Sequence, residues 1–272
     1  MPELASKVTP PLKWAGGKRW FVRNHLSLFP EDYDTYFEPF FGGGAVLFSL
    51  LPDKAIVSDA NLDLIRTYKA IQFNFEGVEA ALKRHAEKHS DKYFYALRSN
   101  RPDDPLELAA WFLYLNRTCY NGLYRVNKKG QFNVPRGTKD AVLLPSDNFE
   151  SVAKALDGCE ILYSDFEPVV ERSKAGDFVF LDPPYTVKHN NNGFIKYNEN
   201  LFSWEDQVRL AKAVARAERR GVKLLVSNAD HQSVRQLYEG IGETLTLGRH
   251  SVIGGGSGYR ANTSEIVVKV GY

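Results

Sequence analysis

The sequence is poor in cysteine: two in 272 residues, Cys119 and Cys159, with no CxxC pair and no Cys/His ligand spacing around either. That excludes a disulfide framework and a structural zinc, and it fits a reducing compartment. No apolar run approaches the roughly 20 residues needed to span a bilayer, and the first residues lack the apolar core of a secretory signal. The chain is therefore expected in the cytoplasm, away from membranes. Nor does one sign of charge dominate: 35 basic and 33 acidic side chains leave a net +2, so any surface for a polyanion must be local. Internal repeats and long low-complexity tracts are missing too. What is plentiful is apolar: 43% hydrophobic residues suffice for a core in one large domain, or in a domain with an insert, and exclude a disordered or fibrous chain.

Strand-like and helix-like patterns alternate. Tyr36 to Phe41 is an apolar, aromatic run that stops at Gly42, Gly43 and Gly44 and continues as a short helical stretch, Ala45 to Leu51. Ala55 to Val57 ends in Ser58-Asp59 and is followed by helical spacing from Leu62 to Phe73. Ile161 to Tyr163 leads to Asp165, and Phe178 to Leu181 to Asp182. An amphipathic pattern from Trp204 to Arg220 precedes Lys223 to Val226, and Glu243 to Thr246 and Glu265 to Val270 read as closing strands joined by a loop containing Gly254 to Gly258. This alternation predicts an α/β sheet covered on both faces, with ligands at the carboxyl ends of the strands, where glycines and acids collect. Residues 76–151 differ in kind. Helical runs such as Leu106 to Leu115 lead to Tyr124–Asn127, then Lys128-Lys129-Gly130, then Gln131–Val134, a hairpin with a basic tip inside an inserted second domain.

The glycine turn matches neither common nucleotide signature. Gly17-Lys18 is nearest to a Walker loop, but Leu12 stands at the first glycine and Arg19 at the Ser/Thr. Gly42 and Gly44 begin a dinucleotide fingerprint that Leu47 breaks at its third glycine. What remains is a loop that lets backbone approach a ligand, with Asp59 placed for ribose hydroxyls, as a nucleoside-containing cofactor without a pyrophosphate would need. A tight turn with no ligand is the alternative for the glycines alone.

Asp182-Pro183-Pro184-Tyr185, directly after an apolar strand, is the most specific feature. Two prolines give a stiff backbone whose carbonyls stay free to accept, Asp182 adds a carboxylate acceptor, and Tyr185 adds an aromatic face. Together they suit a planar base with an exocyclic amine, whose delocalised lone pair becomes nucleophilic when acceptors turn it out of the ring plane. Taken alone, the tetrapeptide could also be a rigid turn with a surface tyrosine.

With both elements in place, the sequence resembles the Dam-type DNA adenine-N6 methyltransferases, which use S-adenosylmethionine. The resemblance runs through Pro11-Leu12-Lys13-Trp14-Ala15-Gly16-Gly17-Lys18, then Glu38-Pro39-Phe40-Phe41-Gly42-Gly43-Gly44, then Asp182 to Tyr185, in the family's order. It implies a Rossmann-like methyltransferase fold over residues 1–75 and 152–272, with residues 76–151 as an inserted target-recognition domain. By position, it implies that Trp14, Lys18, Phe40, Gly42, Gly44 and Asp59 hold the cofactor, that Asp165 and Phe166 sit against its adenine, and that Asp182 borders both cofactor and target base. Catalysis would fall to Asp182, Pro183, Pro184 and Tyr185, with no metal, giving N6-methyladenine and S-adenosylhomocysteine.

A second resemblance lies in the insert. Asn116-Arg117, Tyr120-Asn121-Gly122-Leu123-Tyr124-Arg125 and Gly130-Gln131-Phe132-Asn133-Val134-Pro135 look like the recognition hairpin of members that methylate adenine in GATC. From Tyr120 to Lys139 there are five basic residues and no acid, with aromatics interleaved, as a ribbon that neutralises phosphates and reads base edges would need. The acid-free segment from Lys7 to Arg23 is a candidate second wall. The resemblance implies that Arg125 and Lys13 contact guanine, Leu123 and Pro135 pack near thymine, and Tyr120 and Asn121 fill the space left by a flipped base. Lys128, Lys129 and Arg136 would meet the DNA backbone. Double-stranded DNA is then the expected partner, bound by a monomer. The rivals are the same chemistry on RNA adenine or on cytosine N4, a protein-glutamine methyltransferase, and a non-catalytic DNA-binding relative. His189, Arg249 and Arg260 receive no role.

Overall fold

The computed structural model describes residues 8–187, 202–250 and 262–272. Lys7, the loop around His189, Gly254 to Gly258 and Arg260 lie outside the described residues. The strands are β1 (Tyr36–Glu38), β2 (Ala55–Asp59), β3 (Cys159–Tyr163), β4 (Phe178–Leu181), β5 (Lys223–Ala229), β6 (Glu243–His250) and β7 (Asn262–Val270). The described helices are α1 (Arg19–His25), α2 (Leu47–Leu50), α3 (Leu62–Glu87), α4 (Asp91–Ser99), α5 (Pro105–Thr118), α6 (Phe149–Leu156), α7 (Phe166–Glu171), α8 (Trp204–Arg219) and α9 (Gln232–Leu237).

All seven strands among the described residues form one sheet in the order β3-β2-β1-β4-β5-β7-β6. β1 runs parallel to β2 and β4, β4 runs parallel to β5, and β7 is antiparallel to both β5 and β6. The α/β sheet expected from the alternating pattern is therefore present. Strand order reverses between β1 and β4, where Tyr36 lies opposite Phe178 and Phe37 opposite Val179. Such a switch point splays the connections apart and leaves a crevice at the strands' carboxyl ends. β1 is shorter than its apolar run predicts, because Pro39 has no N–H to extend the ladder. The helix after the glycine turn is a single turn, Leu47–Leu50, closed by Leu51 in the left-handed region at φ 48°.

The chain divides into two compact units. The first comprises the described parts of Met1–Leu26, Phe41–Asp53 and Asp59–Tyr163. Its core is built on α3 and α5. Asp104 caps α5 by accepting from the backbone N–H of Leu106 and Glu107, Pro105 presets the first turn, and every residue from Leu108 to Thr118 is buried. α3 is capped by Asn61 and breaks its regular backbone at Asn74, whose side chain accepts from the Gly77 N–H. The second unit comprises the described parts of Ser27–Phe40, Lys54–Ser58 and Ser164–Tyr272. There α8 begins with a reciprocal capping box between Ser203 and Asp206. Arg209 and Arg216 on α8, and Arg220 just past its end, pair with Asp165, which caps α7, and with Glu167 and Glu171 on α7. No described helix is long and apolar enough to cross a membrane.

Candidate functional site

In the second unit the four residues of β4 are all buried, and the chain leaves the strand as Asp182-Pro183-Pro184-Tyr185. The tetrapeptide is held from two sides. The Tyr185 hydroxyl lies 2.8 Å from Ser227 Oγ and donates to Glu265 Oε2 at 2.9 Å. Burial, then the nearby carboxylates of Asp182 and Glu265, keep the phenol proton well above the ordinary tyrosine range. Gln207, fully buried on α8, donates from Nε2 to the Pro184 carbonyl at 3.3 Å and accepts at Oε1 from Asn228 Nδ2 at 2.9 Å. One of the two proline carbonyls expected to stay free is thus engaged by Gln207, whose buried amide N–H needs an acceptor.

Phe40, just past β1, stacks on Phe166 at 5.4 Å and meets Phe202 edge-on. The guanidinium of Arg209 lies over Phe166, 4.5 Å from the ring centre. Asp165 Oδ1 accepts from the Glu167 N–H and Oδ2 from Arg209, so this carboxylate also serves as a helix cap and ion-pair partner.

In the first unit the glycine turn has two structural constraints of its own. Gly42 (φ 47°) lies under the Trp14 ring, where a Cβ would come within 2.7 Å of Cδ1. Gly44 (φ 66°) leaves equally little room beside Phe48 and Phe41. Asp59, at the end of β2, accepts from the Gly42 N–H at 2.9 Å and from the Asn61 N–H at 2.8 Å. Burial pushes its carboxyl up to about 6 despite those donors. Trp14 also stacks on Tyr124 and Phe112. Lys18 is buried, not a solvated charge, and its ammonium donates to the Gly16 carbonyl. Leu12, Lys13, Trp14, Gly17, Arg19, Gly43 and Ala45 line an open cleft.

The expected hairpin is present, with two separated rungs in place of continuous strands: Val126 opposite Phe132, and Cys119 opposite Arg136. Asn127 makes the turn, its Oδ1 accepting from the N–H of Lys129 and Gln131, and the tip glycine, Gly130, has φ 74°. Tyr120, Asn121, Arg125, Lys128, Lys129 and Pro135 are exposed, whereas Leu123 and Arg136 are half-buried. Arg125 Nε donates to Asn133 Oδ1, and Arg136 pairs with Asp91 and Asp140.

Lys13 is fixed through its backbone: its N–H donates to Asn116 Oδ1, and its carbonyl accepts from Asn116 Nδ2, which also reaches the Gly122 carbonyl. Burial, then Lys139 and Arg117, lower the proton affinity of its ammonium. Sequence reading assigned no role to Asn116, Gln207, Ser227, Asn228 or Glu265. A signal existed for Glu265, since an acid directly before the apolar run Ile266 to Val268 of a closing strand is costly to bury unless a donor meets it.

Comparison with known proteins bears on this arrangement. Residues 14–251 match the family model of the D12 class N6 adenine-specific DNA methyltransferase. The type II methyltransferase M1.LlaDCHI of Lactococcus lactis is 38% identical over 239 residues, covering 85% of this chain and 84% of the relative. The type II methyltransferase M.MjaIII of Methanocaldococcus jannaschii is 39% identical, covering 86% of this chain and 89% of the relative. The DNA adenine methylase of Haemophilus influenzae is 32% identical, covering 86% and 84%. With the family model spanning most of its length, the chain belongs to the D12 class of N6 adenine-specific DNA methyltransferases.

Proposed function

We propose that the chain transfers a methyl group from S-adenosylmethionine to N6 of adenine in double-stranded DNA, in the sequence GATC, after turning the adenine out of the duplex. It acts as a monomer in the cytoplasm, with residues 1–75 and 152–272 as the catalytic part and 76–151 as the target-recognition part. The observation that carries this reading is the rigid Asp182–Tyr185 tetrapeptide at the carboxyl end of β4, beside the switch point of the sheet. Relatives named DNA adenine methylase support adenine as the base.

The residues present fit the cofactor. Gly17, Gly43 and Ala45 keep a cleft open beside Arg19, whose positive charge suits an amino-acid carboxylate. Asp59, oriented by two backbone donors, suits ribose hydroxyls, and the Phe40–Phe166 pair with Asp165 suits an adenine ring and its amine. When bound, S-adenosylmethionine supplies an electrophilic methyl group on a sulfonium centre. Asp182 accepts one N–H of the target amine and stabilises the positive charge that develops on N6. With the Pro184 carbonyl engaged by Gln207, the Pro183 carbonyl takes the second N–H. Tyr185 stacks on the base. Flipping costs a few kcal/mol, which Lys128, Lys129 and the exposed Tyr120-Asn121 pair offset by holding phosphates and filling the gap.

Ribose hydroxyls that donate to Asp59 favour its ionised form. Cofactor affinity should therefore be full above pH 6 and weaken as pH falls through about 6, approaching tenfold per pH unit. Asp59→Asn should bind weakly at every pH and lose the inflection in a calorimetric titration. The same shift makes the folded state the tighter proton binder between 3.8 and about 6, so this group's contribution to stability falls as pH rises across that window.

The function is tested by transfer of label from S-adenosylmethionine to two duplexes differing only in GATC versus GTAC, followed by nucleoside analysis. N6-methyladenine in the GATC duplex alone is expected. Equal labelling of both would remove the sequence claim, and labelled cytosine would replace the base.

A further inference from the structure

We propose that Glu265 and Ser227 are positioning residues for the methyl transfer: by holding the Tyr185 hydroxyl, they fix the plane of the ring against which the target adenine stacks. The inference rests on the reading of Asp182–Tyr185 as the base-binding tetrapeptide and extends it to two side chains on β5 and β7.

The register of the sheet places the pair. Glu265 lies directly opposite Ala229 in the antiparallel β5–β7 ladder, and Ser227 lies two residues along β5 from Ala229. Opposed residues share a face, and so do residues two apart on one strand, so Glu265 and Ser227 are diagonal neighbours on one face of the sheet. Both are buried, Ser227 completely and Glu265 to 5% exposure. A carboxylate can only accept, and a phenol has one proton. The proton of Tyr185 therefore goes to Glu265, and the Ser227 hydroxyl donates to the phenol oxygen. A phenol O–H lies in the plane of its ring, so the directional order Ser227 to Tyr185 to Glu265 holds the hydroxyl in place and biases the ring plane with it. High proton affinity of the phenol keeps it a donor throughout the neutral range.

The next residue on β5 completes the support from the other face. Asn228 Oδ1 accepts from the Ala229 N–H, its Nδ2 donates to Gln207, and Gln207 donates to the Pro184 carbonyl. Successive residues of one strand thus hold successive residues of the tetrapeptide: Asn228 holds Pro184 through Gln207, and Ser227 holds Tyr185 directly. An aromatic face held in place before the base arrives spares the reaction the entropy of orienting it. Phenylalanine at position 185 would keep the face and lose the anchor, which makes the anchor's contribution measurable.

The experiment is a double-mutant cycle on single-turnover methylation of the GATC duplex, with Tyr185→Phe, Glu265→Gln, Ser227→Ala and the double variant Tyr185→Phe/Glu265→Gln. Tyr185→Phe and Glu265→Gln should each slow transfer by about tenfold, as expected for a hydrogen bond to a charged group, and Ser227→Ala by about fivefold, as expected for one between neutral hydroxyls. Affinities for duplex and cofactor should stay near the wild-type values. The double variant should be no slower than Tyr185→Phe alone, because Glu265 acts through the hydroxyl already removed. Should Glu265→Gln lose its cooperative melting transition, Ser227→Ala takes its place in the cycle. Multiplying effects, near a hundredfold in the double variant, or single variants as fast as the wild type, would overturn the inference while leaving the function intact. A wild-type chain that leaves adenine unmethylated removes the reading beneath it, and both fall.

Discussion

Asp182→Ala should slow methyl transfer by about a hundredfold to a thousandfold, the usual cost of deleting one preorganised acceptor at developing charge. The adenine amine is a poor nucleophile because its lone pair belongs to the ring. Only an acceptor on the N–H draws that pair out of plane and takes up positive charge as the new bond forms. Asp182 is the one carboxylate in the tetrapeptide, and Pro184 has its carbonyl turned to Gln207, so backbone acceptors cannot fully replace it. Asp182→Asn keeps one acceptor oxygen without the charge and should fall between wild type and alanine. Rapid-quench kinetics at saturating cofactor would measure the step. Calorimetry should find cofactor binding partly retained in both variants, and near-normal turnover in the alanine variant would refute the assignment.

The largest expected effect on stability belongs to the first unit. Arg117 on α5 has a completely buried side chain that donates to both oxygens of Asp147, at 2.6 and 2.8 Å, and to the carbonyls of Pro11 and Val142. Its guanidinium thus ties three separate stretches of the first unit. Arg117→Met preserves most of the volume but leaves Asp147 without its cation and two carbonyls without their donor. Breaking a buried pair in this way typically costs about 3–5 kcal/mol, to be read as a lower urea midpoint. A loss below about 1 kcal/mol would mean that water replaces the guanidinium at those acceptors.

Most of the sheet could be read from the sequence because β4 and the core of β5 are runs of apolar residues, bounded by glycine, acid or proline. α8 was legible from its amphipathic spacing, and the hairpin from aromatic runs flanking Lys-Lys-Gly. What escaped was decided by partners distant in sequence. Nothing local to Pro184 announces that Gln207 takes its carbonyl, and nothing local to Tyr185 points eighty residues on to Glu265. The glycine turn illustrates a different limit. The letters allow close approach by a ligand or by the protein itself, and only packing shows Trp14 lying over Gly42. Arg136 likewise counts as free positive charge in a composition, yet it is committed to Asp91 and Asp140.

On the proposed reading of the hairpin as the target-recognition ribbon, its two-rung build has a consequence for how target preference can change over evolutionary time. Its foot is pinned by the Tyr120 N–H to the Pro135 carbonyl and by the Gly137 N–H to the Thr118 carbonyl. The tip beyond Val126 and Phe132 is closed by its own turn, and a side chain added at Gly130 would meet nothing within 4 Å. Side-chain changes at the exposed Lys128 and Lys129 are therefore tolerated by the scaffold, whereas Gly130 is held to glycine by its φ of 74° and insertions at residues 118–120 or 135–137 would break the backbone pins of the foot. A lineage can thus vary the ribbon's charge at the tip while the foot keeps its register, and a transplanted ribbon should be cut outside the foot.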